Sequence, residues 1–195
     1  MTLAAERDAR REALLAAADA VVRREGAVAS MASIAAEAGI TKPILYRHFG
    51  DKGGLYAALA ERHTDRLLDA LVDSLTAGGT ARERVERTID TYLRVIESEP
   101  EVYRFLVQSE EAVAAREPVR GFVRRLQDLL AAGIAHELRL PDDDRRAAVW
   151  AVAIVGMVQA AGERWLELPD GTRPELAAHL TDLLWGAYAQ QARRA

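Results

Sequence analysis

An all-α fold of about nine helices is what this 195-residue chain predicts. Apolar residues recur at i, i+3 and i+4 in segment after segment, the spacing that lines one face of a helix. Breaking residues stand between those segments: Gly26, Gly39, Gly50, the run Ala77-Gly-Gly-Thr80, Pro100 and Pro141. No stretch alternates polar and apolar residues with the period of a strand, and there is no internal repeat or low-complexity tract.

The elements come in order. Residues 6–25 make the first helix, with Leu14, Ala17, Ala18, Val21 and Val22 as its stripe and Gly26 as its end. Ser30 is suited to cap a second helix, because its hydroxyl accepts from the free N–H groups of an opening turn; Ile34, Ala35 and Ala38 give that helix a narrow apolar face, and Gly39 stops it. Thr41 stands at the cap of a third helix with Pro43 in its first turn, where a missing N–H costs nothing. Ile40, Leu45 and Phe49 point inward, Gly50 ends the helix and Asp51 caps the next. The fourth helix runs from Lys52 to about Thr76 on Leu55, Leu59, Leu67, Leu68, Leu71, Val72 and Leu75. Gly53 and Gly54 in its first turn are costly there unless another backbone comes close. Residues 82–98, 101–109, 118 to about 134, 145–168 and 175 to about 191 supply five more helices. The helix at 145–168 is apolar on more than one face, with Ala153, Gly156, Ala160 and Gly162 as small residues along it, so it must be covered on two sides. The division into domains is expected in or just before the fourth helix, giving 1–54 and 55–195 with that helix shared.

Composition narrows the function classes. Half the residues are hydrophobic, yet no apolar run is long enough to span a bilayer, and MTLAAERDARRE lacks the apolar core of a secretory signal. A cytoplasmic protein with no membrane role is the expectation. The absence of cysteine removes disulfides, thiolate metal sites and a thiol nucleophile. Net charge is −4, but residues 1–52 carry eight Lys/Arg against seven Asp/Glu, so the acidity lies beyond them. The two lysines of the chain, Lys42 and Lys52, bracket the third helix.

Two short helices joined by a glycine-containing turn, the second cationic and aromatic on its outer face, form a helix-turn-helix suited to the major groove of DNA. The wording is closer still. ITKPILYRHFGDKGGLYAAL resembles the recognition segment of the tetracycline-repressor (TetR) family of bacterial transcription regulators, through Thr41, Pro43, Leu45, Tyr46, His48, Phe49 and Lys52 together. The resemblance covers roughly residues 10–60. It implies an N-terminal three-helix DNA-binding domain and a C-terminal helical bundle for ligand binding and dimerisation. The implied function is ligand-responsive transcriptional regulation, most often repression, by a homodimer on a palindromic double-stranded operator, released by a small-molecule inducer.

Each DNA-binding candidate has a chemical rationale. Lys42 opens the helix near a base edge or phosphate; Pro43 and Ile44 offer apolar contact to thymine methyls; Arg47 has the fork that reads guanine. Thr41 caps and donates to a phosphate, and Tyr46 and His48 match the family's phosphate-contacting positions. Lys52 adds charge at a helix N-terminus, and Ser30 and Ser33 lie within reach of the backbone. Ala32 stands where some relatives carry a base-reading arginine, so the second helix contributes little to sequence choice. Arg7, Arg10 and Arg11 are either a solvated face or an arm towards phosphate or minor groove.

For the inducer, the candidate lining is Tyr92, Tyr103, Phe105, Phe122, Trp150 and Met157, with His63, Arg66, Gln108 and Gln159 as polar anchors. This composition favours a lipophilic ligand, although pockets and cores share it. The resemblance further implies that the last two helices pair with their copies as a four-helix interface, through Ala153, Gly156, Ala160, Trp165, Leu180, Leu184 and Tyr188; the alternative is a helix central to its own bundle. The four histidines are dispersed, and the acidic runs Glu110-Glu111 and Asp142–Asp144 lack a base, a nucleophile or a phosphate loop. No catalytic residues, metal site or cofactor are therefore expected, and the chain is read as no enzyme. A helical ligand carrier is the competing class, separable by the salt dependence of DNA binding.

Overall fold

The computed structural model describes residues 3–108, 116–141, 144–168 and 170–192, with side chains throughout these except at 3–4, 27, 108 and 188–192. The expectations for Gln108 and Tyr188, and the runs Glu110-Glu111 and Asp142-Asp143, lie outside the described residues or side chains. Among the described residues there are nine α-helices and no strand: α1 (Leu3–Glu25), α2 (Met31–Glu37), α3 (Lys42–Phe49), α4 (Lys52–Thr76), α5 (Ala81–Ser98), α6 (Pro100–Gln108), α7 (Arg116–Glu137), α8 (Arg146–Glu167) and α9 (Arg173–Ala192). A 3-10 turn, Gly26–Val28, comes after α1. No described helix is long and apolar enough to cross a membrane.

Contacts divide the chain into two compact units. One comprises Met1–Asp65 and Glu99–Arg120, the other Arg66–Ser98 and Gly121–Ala195. The first unit is larger than the segment 1–54 marked out in the sequence, because Val102 and Phe105 of α6 are buried in the same core as Leu14, Val21, Ile34, Leu45, Leu55 and Leu59. Tyr56 is the centre of that core. Its ring meets Phe105 edge-on, with centroids 4.7 Å apart, and its hydroxyl donates to the carbonyl of Ala29 at 2.8 Å. One fully buried aromatic thus ties α4, α6 and the turn before α2, with its polar tip satisfied.

A charged cluster lies beside this core. Asp19 on α1 is almost fully buried; it accepts from Nε2 of His63 on α4 at 2.7 Å and pairs with Arg23 at 3.1 Å. Arg23 reaches Glu99 at 2.7 Å, and His63 Nδ1 stands 3.7 Å from the same carboxylate. Burial pushes the Asp19 carboxyl up, but the His63 hydrogen bond and the charges of His63, Arg23 and Arg62 outweigh it and hold the group below its ordinary value.

The second unit is a helical bundle in which α5 packs on α8 and α9. Close approach explains Gly162: a Cβ there would lie 2.9 Å from Ile96 Cδ1 and 3.1 Å from Tyr92 Cε1. Arg173 at the start of α9 bridges Asp90 and Glu97 of α5. The ring of Trp165 donates to the carbonyl of Gly171 at 3.2 Å, pinning the α8–α9 loop.

Candidate nucleic-acid interface

The helix pair α2–α3 is set by local chemistry at each end. Ser30 and Ser33 form a reciprocal capping box: Ser30 Oγ accepts from the Ser33 amide at 3.1 Å, and Ser33 Oγ accepts from the Ser30 amide at 3.0 Å. Both hydroxyls are therefore engaged, Ser33 also donating to the Ser30 carbonyl. At the other end Gly39 takes φ +63°, its amide bonds to Ala36 and that of Ile40 reaches back to Ala35. This is a Schellman closure, which turns the chain sharply into α3 and seats Ile40 against the core.

Thr41 caps α3 with its backbone alone. It is extended, and its carbonyl accepts from Ile44 and Leu45, but its hydroxyl makes no cap bond and stays at the exposed surface. The expected side-chain cap is replaced by Pro43 in the first turn, which needs no N–H partner. Gly50 (φ +81°) ends the helix.

The junction between α3 and α4 requires Gly54. A Cβ on it would stand 2.0 Å from the carbonyl oxygen of Phe49, so the end of α3 lies directly against the first turn of α4. The Gly54 amide donates to Asp51 Oδ1 at 2.7 Å, the cap of α4. Lys52 sits at that helix start with Nζ 5.3 Å from the Tyr56 ring centroid.

These constraints divide α3 into two faces. Leu45 and Phe49 are buried; Lys42, Pro43, Tyr46 and Arg47 are exposed on the opposite side; Ile44 and His48 are half-buried at the margin. Side chains at i, i+1, i+4 and i+5 share a helix face, so two cations, a phenol and a proline form one outward stripe. Burial lowers the proton affinity of His48, and the guanidinium groups of Arg10, Arg47, Arg7 and Arg11 lower it further. Those three α1 arginines are a feature that the sequence left between two readings; the structure sets them in the electrostatic neighbourhood of α3.

The ligand candidates are distributed over both units. His63 is the partner of Asp19, and Phe105 belongs to the Tyr56 core; Tyr103 lies with them in the first unit. Arg66, Tyr92, Phe122, Trp150, Met157 and Gln159 belong to the second, where Phe122 is buried, Tyr92, Trp150, Met157 and Gln159 half-buried and Arg66 exposed.

Of the residues assigned to a subunit interface, Ala153, Gly156 and Ala160 are exposed along one side of α8, joined there by Val149 and Val152, which are 62% and 54% exposed. Trp165 of α8 and Leu180 of α9 are buried in their own unit, and Leu184 of α9 is half-buried. Sequence reasoning missed Val149 and Val152, and with them Leu183 of α9 at 63% exposure. The signal that finds them is the α8 register itself, in which 149, 152, 153, 156 and 160 form one stripe.

Comparisons with known proteins agree with this geometry. Residues 14–59 match the model of "Bacterial regulatory proteins, tetR family", and residues 70–195 match "Tetracyclin repressor-like, C-terminal domain". The chain is 32% identical over 180 residues to an HTH-type transcriptional regulator of Mycobacterium tuberculosis, covering 91% of this chain and 76% of that one. It is 31% identical over 165 residues to the HTH-type transcriptional activator FasR of Mycolicibacterium smegmatis, covering 82% and 74%. A TetR-family transcriptional regulator from Streptomyces coelicolor has the same fold, with a TM-score of 0.79, 22% identity and coverage of 96% and 84%.

Proposed function

The chain belongs to the TetR family of DNA-binding transcriptional regulators, and from that premise we propose that it works as a cytoplasmic homodimeric repressor released by a small hydrophobic ligand. The observation that carries the reading is the presence of two unlike outer faces, the cationic and aromatic stripe of α3 and the apolar stripe of α8. In this reading α3 enters a major groove with Lys42, Arg47 and Ile44 towards base edges and Thr41, Tyr46, His48 and Lys52 towards phosphates. Residues 1–54 read DNA and residues 55–195 bind ligand and the second copy. Two copies paired through α8 and α9 present their α3 helices to half-sites about one DNA turn, ~34–36 Å, apart on a palindrome. Ligand bound to the helical bundle favours a conformation with lower DNA affinity, and the effect equals its differential affinity for the two states.

The apolar and aromatic make-up of the second unit supports a lipophilic ligand, and a solved structural neighbour, the transcriptional regulator FadR of Bacillus subtilis, is in complex with stearoyl-CoA. The test is fluorescence-anisotropy titration of DNA flanking the protein's own gene, with Lys42→Ala beside the wild type and long-chain acyl-CoA as competitor. Sequence-dependent binding, weakened by the substitution and by the acyl-CoA, is the expected result; binding that ignores sequence overturns the operator reading. A reporter placed behind the bound site gives the sign of regulation, on which the relative named as an activator makes activation the competing outcome.

A further inference from the structure

The cationic surface of the first unit extends past α3. Arg7, Arg10 and Arg11 lie at i, i+3 and i+4 on α1 and are exposed. The Arg11 guanidinium stands 5.1 Å from the centroid of the Phe49 ring, which ties this row to the C-terminal end of α3. The His48 ring is next to Phe49, with centroids 6.5 Å apart and planes tilted by 50°, and it is half-buried. Arg7, Arg10 and Arg47 have no carboxylate partner among the described residues. The other charges on the first half of α1 are Glu6, Asp8 and Glu12, with Lys42 on α3 and Asp51 and Lys52 at the start of α4; Asp19, Arg23, Arg24 and Glu25 lie further along α1. Of the acids, Glu12 is held at 2.6 Å by Arg62 and Asp51 accepts from the Gly54 amide. A half-buried imidazole thus sits among unpaired guanidinium groups whose combined field attracts an anion.

We propose that DNA binding by this protein takes up a proton on His48: a backbone phosphate seated on the arginine row turns the neutral imidazole into an imidazolium that donates to it. The inference rests on the reading of α3 as the DNA-contacting helix. The proton comes from solvent and adds to the free ring nitrogen; no other bond changes. In the free protein, burial and the four arginines keep the ring below its ordinary pKa, and the negative charge of a phosphodiester offsets the arginines and favours the charged ring. The ring's proton affinity is therefore higher in the complex than in the free chain. DNA affinity accordingly rises as pH falls through the interval between the bound and free pKa values and levels off on either side. The arginines stay charged throughout, so without His48 the surface binds DNA with no proton linkage.

The test uses a labelled duplex of arbitrary sequence at low salt, since phosphate contacts are sequence-independent. Anisotropy titrations from about pH 8 to about pH 5.5 span the range in which histidine changes charge. For wild type the dissociation constant should fall by up to about tenfold per pH unit per His48 within the interval, and calorimetry in two buffers of different ionisation enthalpy should record proton uptake. His48→Gln should bind more weakly at acid pH, with a flat profile. In wild type the NMR titration of the His48 ring should move to higher pH on adding duplex, a readout that needs no variant. A flat wild-type profile with binding intact, an equal slope in His48→Gln, or an unmoved ring titration overturns the proton linkage alone. Absence of DNA binding at every pH by the folded protein overturns the reading of α3 along with it.

Discussion

The outer faces of α3 and α8 stand in contrast. Both helices bury one side in their own unit and leave the other uncovered, but α3 exposes Lys42, Tyr46 and Arg47, whereas α8 exposes Val149, Val152, Ala153, Gly156 and Ala160. The first stripe keeps its charges hydrated until a polyanion replaces the water, so it is stable unbound and its binding is strongly salt-sensitive. The second leaves methyl groups in water along several turns, a cost that burial against another apolar face removes. Interior packing does not distinguish the two helices, since both bury aliphatic and aromatic residues. Only their uncovered faces indicate what each is for.

Substitutions test that contrast, beginning where the effect is largest. Val149→Asp with Val152→Asp puts charge into the α8 stripe; sedimentation should show monomers, and binding to a palindromic site should weaken on the order of a hundredfold as the second half-site is lost. A dimer that survives this pair of changes would break the reading of α8. Gly54→Ala attacks the support of α3 rather than its face. Its Cβ would collide with the Phe49 carbonyl, and urea unfolding should show a loss of about 3 kcal/mol. Gly156→Ala is the informative contrast, because nothing lies within 4 Å of a Cβ there. In the monomer it should be neutral or stabilising by up to about 1 kcal/mol, so any loss must appear in dimerisation.

Asp19→Asn should cost about 2 kcal/mol by leaving His63 and Arg23 without their buried counter-charge. The pH dependence has a definite sign. A carboxyl held below its ordinary value contributes stability at pH above the unfolded pKa, and that contribution disappears as pH falls through the folded one. Acid unfolding of wild type should therefore steepen below about pH 4, and that step should shrink in Asp19→Asn. Lys42→Ala should weaken operator binding by about 1–2 kcal/mol while leaving the thermal midpoint alone, since Lys42 is exposed. Ser30→Ala, the smallest of these, removes one half of the capping box and should cost about 1 kcal/mol of stability.

Much of the α2–α3 region is legible in the chain because its causes are local. A cap, a left-handed glycine and a proline in a first turn act within four residues of themselves, and Leu45 and Phe49 declare their face by spacing alone. His63 shows where such reading stops. Its residue type and position suit an anchor for a ligand, yet the side chain is committed to Asp19, 44 positions earlier in the chain. Phe105 likewise packs edge-on against Tyr56, and Trp165 and Leu180 are buried in their own unit on helices whose two apolar sides look alike in sequence.

The sequence by itself determined the helical segments, their ends, the helix-turn-helix and the chemistry of its outer stripe, since these depend on dihedral preferences and periodicity over one or two turns. The tertiary structure decided which apolar face is covered and which is open, why Gly54 and Gly162 must lack a Cβ, and that three arginines of α1 act on a histidine of α3. A helical period states that a face exists; only the packing of residues far apart in the chain selects what meets it.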